Sequence, residues 1–189
     1  MGYEYWVIPG IWLLWAIYWI VSARYTQQST HSESAPSRLT HLLLLAVAFA
    51  MEALPFFEFG VLGWSLLPDR LIAFAIGVTL QVLGLGFAVW ARVHLGQYWS
   101  GTIDIKVEHQ LIRSGPYALV RHPIYSGLVL AFLGTALAGD EVRGLLALAL
   151  FISAYARKMW IEEQWLVRQF GEEYAGQSLL TFAIKSTKI

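Results

Sequence analysis

The run LIAFAIGVTLQVLGLGFAVWA, residues 71–91, contains no charged side chain. A helix of that length is about 30 Å long, which matches the hydrocarbon thickness of a bilayer. Four more apolar runs accompany it: YWVIPGIWLLWAIYWIV (5–21), THLLLLAVAFAMEALPFF (40–57), IYSGLVLAFLGTALA (124–138) and GLLALALFISAYARKMW (144–160). Only 14% of the 189 residues are charged, whereas a soluble domain carries about a quarter. The chain therefore reads as an all-α integral membrane protein with five transmembrane helices. The fourth and fifth are separated by GDEVR alone, so they form a tight hairpin.

Basic residues orient the set. With the N-terminus outside and five crossings, the inside segments hold eleven of the thirteen Lys and Arg residues, and the outside ones only Arg70 and Arg143. The positive-inside rule then gives N-out/C-in. The first run has Glu4 before it and no basic residue, which argues against a cleaved signal peptide. A net charge of zero gives no general attraction to nucleic acid. The absence of cysteine excludes disulfides, thiolate metal sites and a cysteine nucleophile. Nine Trp and nine Tyr suit interfacial anchoring belts.

The connections differ in character. SARYTQQSTHSESAPSR (22–38) is polar and reads as a flexible cytoplasmic loop. Residues 92–123 mix β-branched residues, charges and a Gly-Pro turn, and read as folded. In the tail, Trp160, Trp165, Leu166 and Phe170 recur at helical offsets with charges between them. That pattern is an amphipathic helix, continuing the fifth run or lying at the interface.

Three polar clusters fall on the cytoplasmic side: His109-Gln110-Leu111-Ile112, the stretch from Tyr117 to Tyr125, and Arg157-Lys158 followed by Glu162-Glu163. His122 precedes a proline, which pushes its backbone out of the helical region. Pro123 is a favoured first helical residue. Arg121 and His122 therefore stand at a helix N-terminus, where amides and the dipole suit an anion. Plainer roles exist for each. Arg121 can anchor, His122 can cap, Tyr117 and Tyr125 can sit at the interface, and the Glu pair can face water. His94, His109 and His122 lack the spacing of metal ligands, so no metal is expected. Gly84-x-Gly86 fits close helix packing rather than phosphate binding. Glu52 is an intramembrane carboxylate, and such a group faces a cavity or a partner; Pro55 beside it suggests a kink.

The order of these clusters is distinctive. His-x-Leu-Ile comes first, then Gly-x-Tyr-x-x-x-Arg-His-Pro-x-Tyr-x-Gly, a helical hairpin, Glu-Glu and Phe-Gly-Glu-Glu-Tyr. Over residues 92–176 this resembles the isoprenylcysteine carboxyl methyltransferase family and the wider group of integral-membrane methyltransferases that includes phospholipid methyltransferases. The resemblance implies S-adenosylmethionine as cofactor, leaving as S-adenosylhomocysteine. It implies a cytoplasmic pocket built from the long loop, the hairpin and the C-terminal helix. His109, Gln110, Leu111, Ile112, Tyr117, His122, Pro123, Ile124, Tyr125 and Glu162 would bind the cofactor, with Arg121, His122 and Glu162 as the catalytic set. Lys158, Arg157 and Glu52 would face the acceptor. Lys158 stands where the eukaryotic carboxyl methyltransferases have an arginine, and a lysine cannot form the planar bidentate clamp on a carboxylate. The tail also lacks a later tyrosine of many relatives.

Residues 1–91 would then be a membrane-helix region and 92–189 the catalytic region of one structural domain. The acceptor would be a lipophilic small molecule or lipidated substrate entering from the bilayer, with membrane lipids around a monomer or weak dimer. A prokaryotic plasma membrane is the expected location. The acceptor atom stays open between a prenylcysteine-type carboxylate, a phospholipid amine and a small thiol. An NADPH-dependent sterol-type reductase and a non-enzymatic scaffold are the rival classes.

Overall fold

The computed structural model describes residues 4–25, 29–31, 34–96, 99, 105–106 and 114–170. Every apolar run is helical: α1 (Glu4–Ser22), α2 (Ala35–Ala53), α3 (Arg70–Leu95), α5 (Pro123–Gly139) and α6 (Val142–Phe170), with the single turn α4 (Pro116–Leu119) before α5. Among the described residues, α3 and α6 are long and apolar enough to cross a membrane, and α1 and α5 are shorter apolar helices. α6 is continuous, so the amphipathic tail prolongs the fifth run. Its 29 residues reach about 43 Å, well beyond a hydrocarbon core.

The closest packing is between α3 and α5, and glycine permits it. Gly77 lies against Gly134 and Ala138, and Gly84 lies against Gly127 and Ala131. A Cβ added at Gly84 would stand 2.5 Å from both the Ala131 nitrogen and the Gly127 oxygen. The pairing 77 with 134 and 84 with 127 makes the two helices antiparallel, with small residues on the shared face. Gly86 is exposed and has open space, so only the first glycine of Gly84-x-Gly86 serves packing.

Side chains fix the other helices. Trp12 Nε1 donates to Thr135 Oγ1 at 2.9 Å, and Gln81 Nε2 donates to the Ile8 carbonyl at 3.1 Å. Arg92 donates to the carbonyls of Ser22 and Gly96 at 2.7 and 2.8 Å. His41 Nδ1 lies 3.2 Å from the Ala154 carbonyl oxygen. Arg157 donates to the Ser37 carbonyl and hydroxyl at 3.2 and 2.7 Å. These contacts make α1, α3 and α6 run one way and α2 and α5 the other. In the centre Phe132 stacks on Phe151 at 4.1 Å, and Phe49 and Trp12 stand edge-on to each other at 5.1 Å. Large apolar side chains remain exposed along α1, α2 and α3, among them Leu14, Ile17, Leu43, Ile72 and Leu83. In water they would form an apolar patch far larger than soluble monomers show.

Three expectations change. Tryptophan does not all lie in belts: Trp6, Trp64 and Trp160 are exposed, but Trp12, Trp15 and Trp19 recur on one face of α1 and pack inward. α2 stops at Ala53 instead of kinking, because Leu54 before Pro55 is extended (φ −100°, ψ 124°). The segment 22–38 is not wholly a loop, since β1 (Ser29–His31) pairs antiparallel with β2 (Ile105–Lys106) of the long connection.

Candidate functional site

The Arg-His-Pro stretch meets α6 at one end of the bundle. Pro123 is the first residue of α5, and His122 caps it with φ −122° and ψ 65°. Ser126 donates to the His122 carbonyl at 2.9 Å from its amide and at 3.1 Å from its hydroxyl. The first amides of α5 have no carbonyl of their own helix to bond. The His122 ring stacks on Tyr125 (5.7 Å, 14°) and so is held facing α6.

From α6 come two carboxylates. Glu163 Oε1 lies 3.2 Å from His122 Nε2 and 3.7 Å from Arg121 Nη1. Glu162 Oε2 lies 3.8 Å from His122 Nδ1. That oxygen is shut off from solvent and has no hydrogen-bond partner. Glu162 is also near Tyr117. Burial, and after it the Glu162 charge, pushes the Tyr117 phenol well above its ordinary range, so the ring stays neutral. Tyr117 lies over His94 (6.5 Å, 23°), whose Nε2 is 2.9 Å from Ser114 Oγ. Gly115 makes this fit possible: its φ is +58°, and a Cβ there would stand 2.7 Å from the His94 ring.

Beneath this cluster, toward the apolar middle, is a cavity of about 80 Å³. Ile124 and Tyr125 of α5 and Tyr155 and Lys158 of α6 form one side. Trp15 and Trp19 of α1, with Trp99, close the other. The Lys158 ammonium is 5.9 Å from the centre of the Tyr125 ring, and the Arg92 guanidinium lies 4.4 Å over Trp99.

The structure therefore unites Arg121, His122, Pro123, Ile124, Tyr125, Tyr117, Lys158 and Glu162. It separates two others from them. Arg157 holds Ser37 at the start of α2 instead of facing an acceptor, because consecutive helical residues point about 100° apart. Glu52 lies at the opposite end of the bundle, where its oxygens approach Gly139 and Gly144 at the α5–α6 turn. The full length of α5, about 25 Å, separates it from His122. Its neighbourhood is a lock: Arg143 contacts Glu58 (2.8 Å), Glu141 (2.6 Å) and the Leu54 carbonyl (2.7 Å). His109, Gln110, Leu111 and Ile112 lie outside the described residues. Sequence reading missed Trp15, Trp19, Trp99 and Arg92. The i, i+3, i+7 spacing of Trp12, Trp15 and Trp19 was the available signal for an inward stripe.

Apolar helices with a cluster of cationic, imidazole and carboxylate groups at one polar end define a helical membrane protein with a polar cleft. A profile of the phospholipid methyltransferase family matches residues 72–173, which takes in α3, the cleft and all of α6. The chain belongs to that family, in the branch of the isoprenylcysteine carboxyl methyltransferases. It is 31% identical to a probable protein-S-isoprenylcysteine O-methyltransferase of Oryza sativa over 139 residues, 69% of each chain. It is 35% identical to the protein-S-isoprenylcysteine O-methyltransferase of Schizosaccharomyces pombe over 117 residues, 57% of this chain and 49% of that one. The cobalt-zinc-cadmium resistance protein CzcN of Cupriavidus metallidurans is 35% identical over 102 residues, 52% of this chain and 45% of its own length. The chain thus spans about half the length of the yeast and bacterial relatives.

Proposed function

We propose that the protein is an S-adenosylmethionine-dependent methyltransferase acting on a lipophilic acceptor at the polar end of the bundle. The observation that carries this reading is the buried Glu162 Oε2, without a hydrogen-bond partner and 3.8 Å from His122. The donor set fits the cofactor's groups. Arg121, His122 and the first amides of α5 suit its carboxylate. Glu162 offers an acceptor to its ammonium or ribose hydroxyls. When bound, the cofactor supplies a methyl already activated on a sulfonium. The protein then has only to align it with the acceptor, and no covalent nucleophile is needed. The family, and the methyltransferase names of the relatives, support the same class of reaction.

Five crossings with N-out/C-in polarity complete the proposal, and put the cleft on the cytoplasmic face of a plasma membrane. The alternating directions of the five long helices support it. So does the charge distribution: Arg24, Arg38, Arg92, Arg121 and Arg168 lie at the cleft end, and Arg70 and Arg143 at the other. A prenyl or acyl acceptor would reach the aromatic cavity from the lipid.

Titration calorimetry on the purified protein in lipid nanodiscs tests the cofactor. S-adenosylmethionine is expected to release or absorb heat saturably and NADPH to leave its isotherm unchanged. A flat S-adenosylmethionine isotherm sinks the reading, and displacement by NADPH moves it to the reductase class.

A further inference from the structure

The end of the bundle opposite the cleft has a segment that the proposed reaction does not use. Between α2 and α3, residues 54–69 include two 3-10 turns, Pro55–Phe57 and Gly60–Gly63. Large apolar side chains point outward from them: Phe56 is 79% exposed, Trp64 67% and Phe59 59%, with Val61 beside them. The polar groups turn inward. Asp140, itself almost wholly buried, accepts from the amides of Leu66 and Leu67 at 3.2 and 2.8 Å. The Val142 amide donates to the Trp64 carbonyl at 3.0 Å, and Arg143 donates to the Leu54 carbonyl and to Glu58. The amides of Phe57, Glu58, Leu62 and Trp64 are bonded within the turns. Both charged residues of the segment are engaged, Glu58 with Arg143 and Asp69 with the Leu71 and Ile72 amides that start α3. The segment is thus inverted, with polar atoms satisfied by the protein and apolar rings left bare. In water such a surface is unfavourable. Backbone outside regular helix is tolerated at membrane depth where the protein satisfies its polar groups in this way.

Two further observations indicate what covers it. The bare rings continue the exposed apolar sides of the helices they join, Leu43 and Val47 of α2 and Leu71 and Ile72 of α3. α2 is also short for a crossing helix. From Leu39, directly after Arg38, to its end at Ala53 it rises about 22 Å, whereas a hydrocarbon core is about 30 Å thick. We propose that residues 54–64 are an interfacial membrane segment that makes up the difference, seated with Phe56, Phe59, Val61 and Trp64 in the lipid leaflet opposite the cleft. Phe and Trp suit that depth. The contacts of Arg143 with Glu58 and Glu141 then close the polar side of a segment that lipid cannot solvate. Trp64 is extended (φ −73°, ψ 136°), so the next side chain, the exposed Ser65, points the opposite way. Ser65 stays at the aqueous rim, its backbone bridged to Glu141. The assignment does not depend on the methyl acceptor or on which side of the membrane holds the cleft.

Because the chain has no cysteine, a single spin label reports one position. Phe59→Cys, Val61→Cys and Trp64→Cys are labelled in lipid nanodiscs, with Leu43→Cys as the lipid reference and Ser65→Cys as the aqueous one. Collision rates are measured with molecular oxygen, which concentrates in lipid, and with a water-soluble nickel chelate. The three loop labels are expected to show oxygen-to-nickel ratios well above that of Ser65 and approaching that of Leu43. That corresponds to a depth of about 5–10 Å into the boundary of headgroups and acyl chains. Helical circular dichroism equal to that of the wild type checks each variant. All three side chains are exposed, and if one variant fails to fold the other two still decide. Ratios at the level of Ser65 place the loop in water and overturn the proposal. Low collision with both reagents means that protein covers the rings, whether a second copy or another partner, and overturns it as well.

Discussion

Glu162 and Glu163 are adjacent, yet their surroundings give them different work. Glu163 already faces Arg121 and His122. Those contacts are partly open to solvent, with 35% of the Glu163 side chain exposed, so each is worth about 1 kcal/mol or less. Glu162 keeps one buried oxygen without a partner, and a hydrogen bond from a charged group to such an oxygen is worth about 1.5–3 kcal/mol. Glu162→Gln is therefore expected to weaken S-adenosylmethionine binding by about tenfold or more, and Glu163→Gln by about fivefold or less. Calorimetry on both variants checks the ranking, and an equal loss would mean that the two carboxylates share one role. Glu52→Gln belongs in the same series as a control. It sits a full helix length from the cleft and should leave the affinity unchanged. Sequence alone could not rank these three acids. Spacing along the chain places Glu162 and Glu163 side by side, but the partners that distinguish them come from α5, some forty residues away.

At the scale of elements, the α3–α5 seam positions the cleft, because α5 begins at Pro123, directly after His122, and its depth is set by α3. The Gly84–Gly127 crossing leaves no room for a side chain. Gly84→Val or Gly127→Val is expected to cost about 1–3 kcal/mol by overpacking, read as a lower unfolding temperature in detergent. Gly86→Val, facing open space, should match wild type or slightly exceed it, because valine has a better helix propensity than glycine. Loss of stability at all three positions would mean that added bulk anywhere on these helices, and not the close seam, was being measured. The boundaries of α1, α3 and α5 were legible because they are local, whereas α2 starts and stops earlier than the run 40–57 suggests. Apolar length, the Pro123 start and the short GDEVR turn sit within a few residues of one another. The faces were less so. Trp12, Trp15 and Trp19 carry the composition of an interfacial belt and the periodicity of a packed stripe, and the periodicity proved the better guide. Arg157 and Lys158 look equivalent in sequence, but one turns to α2 and the other to the cavity. The start of α2 and the floor of the cavity are both distant in the chain, so that division needed the assembled bundle.

For the whole molecule the decisive property is polarity across the bilayer, since the cleft can use a cytoplasmic cofactor only if it faces the cytoplasm. The helix directions give a bundle with two ends but do not say which end is in. The basic residues gathered near the cleft are the ground on which we propose that this end is in. The chain has no cysteine, so a single introduced one reports its own location without background. Ser65 and Ala118 are both exposed and lie at opposite ends, Ser65 beside Glu141 at the α5–α6 turn and Ala118 in α4. In intact cells a membrane-impermeant maleimide is expected to label Ser65→Cys and to spare Ala118→Cys. After permeabilisation both should react. The reverse pattern would turn the bundle over and put the cleft outside, away from the cofactor pool. Labelling of both positions in intact cells would mean an even number of crossings between them, and the five-helix arrangement would fall while the geometry of the cleft stood.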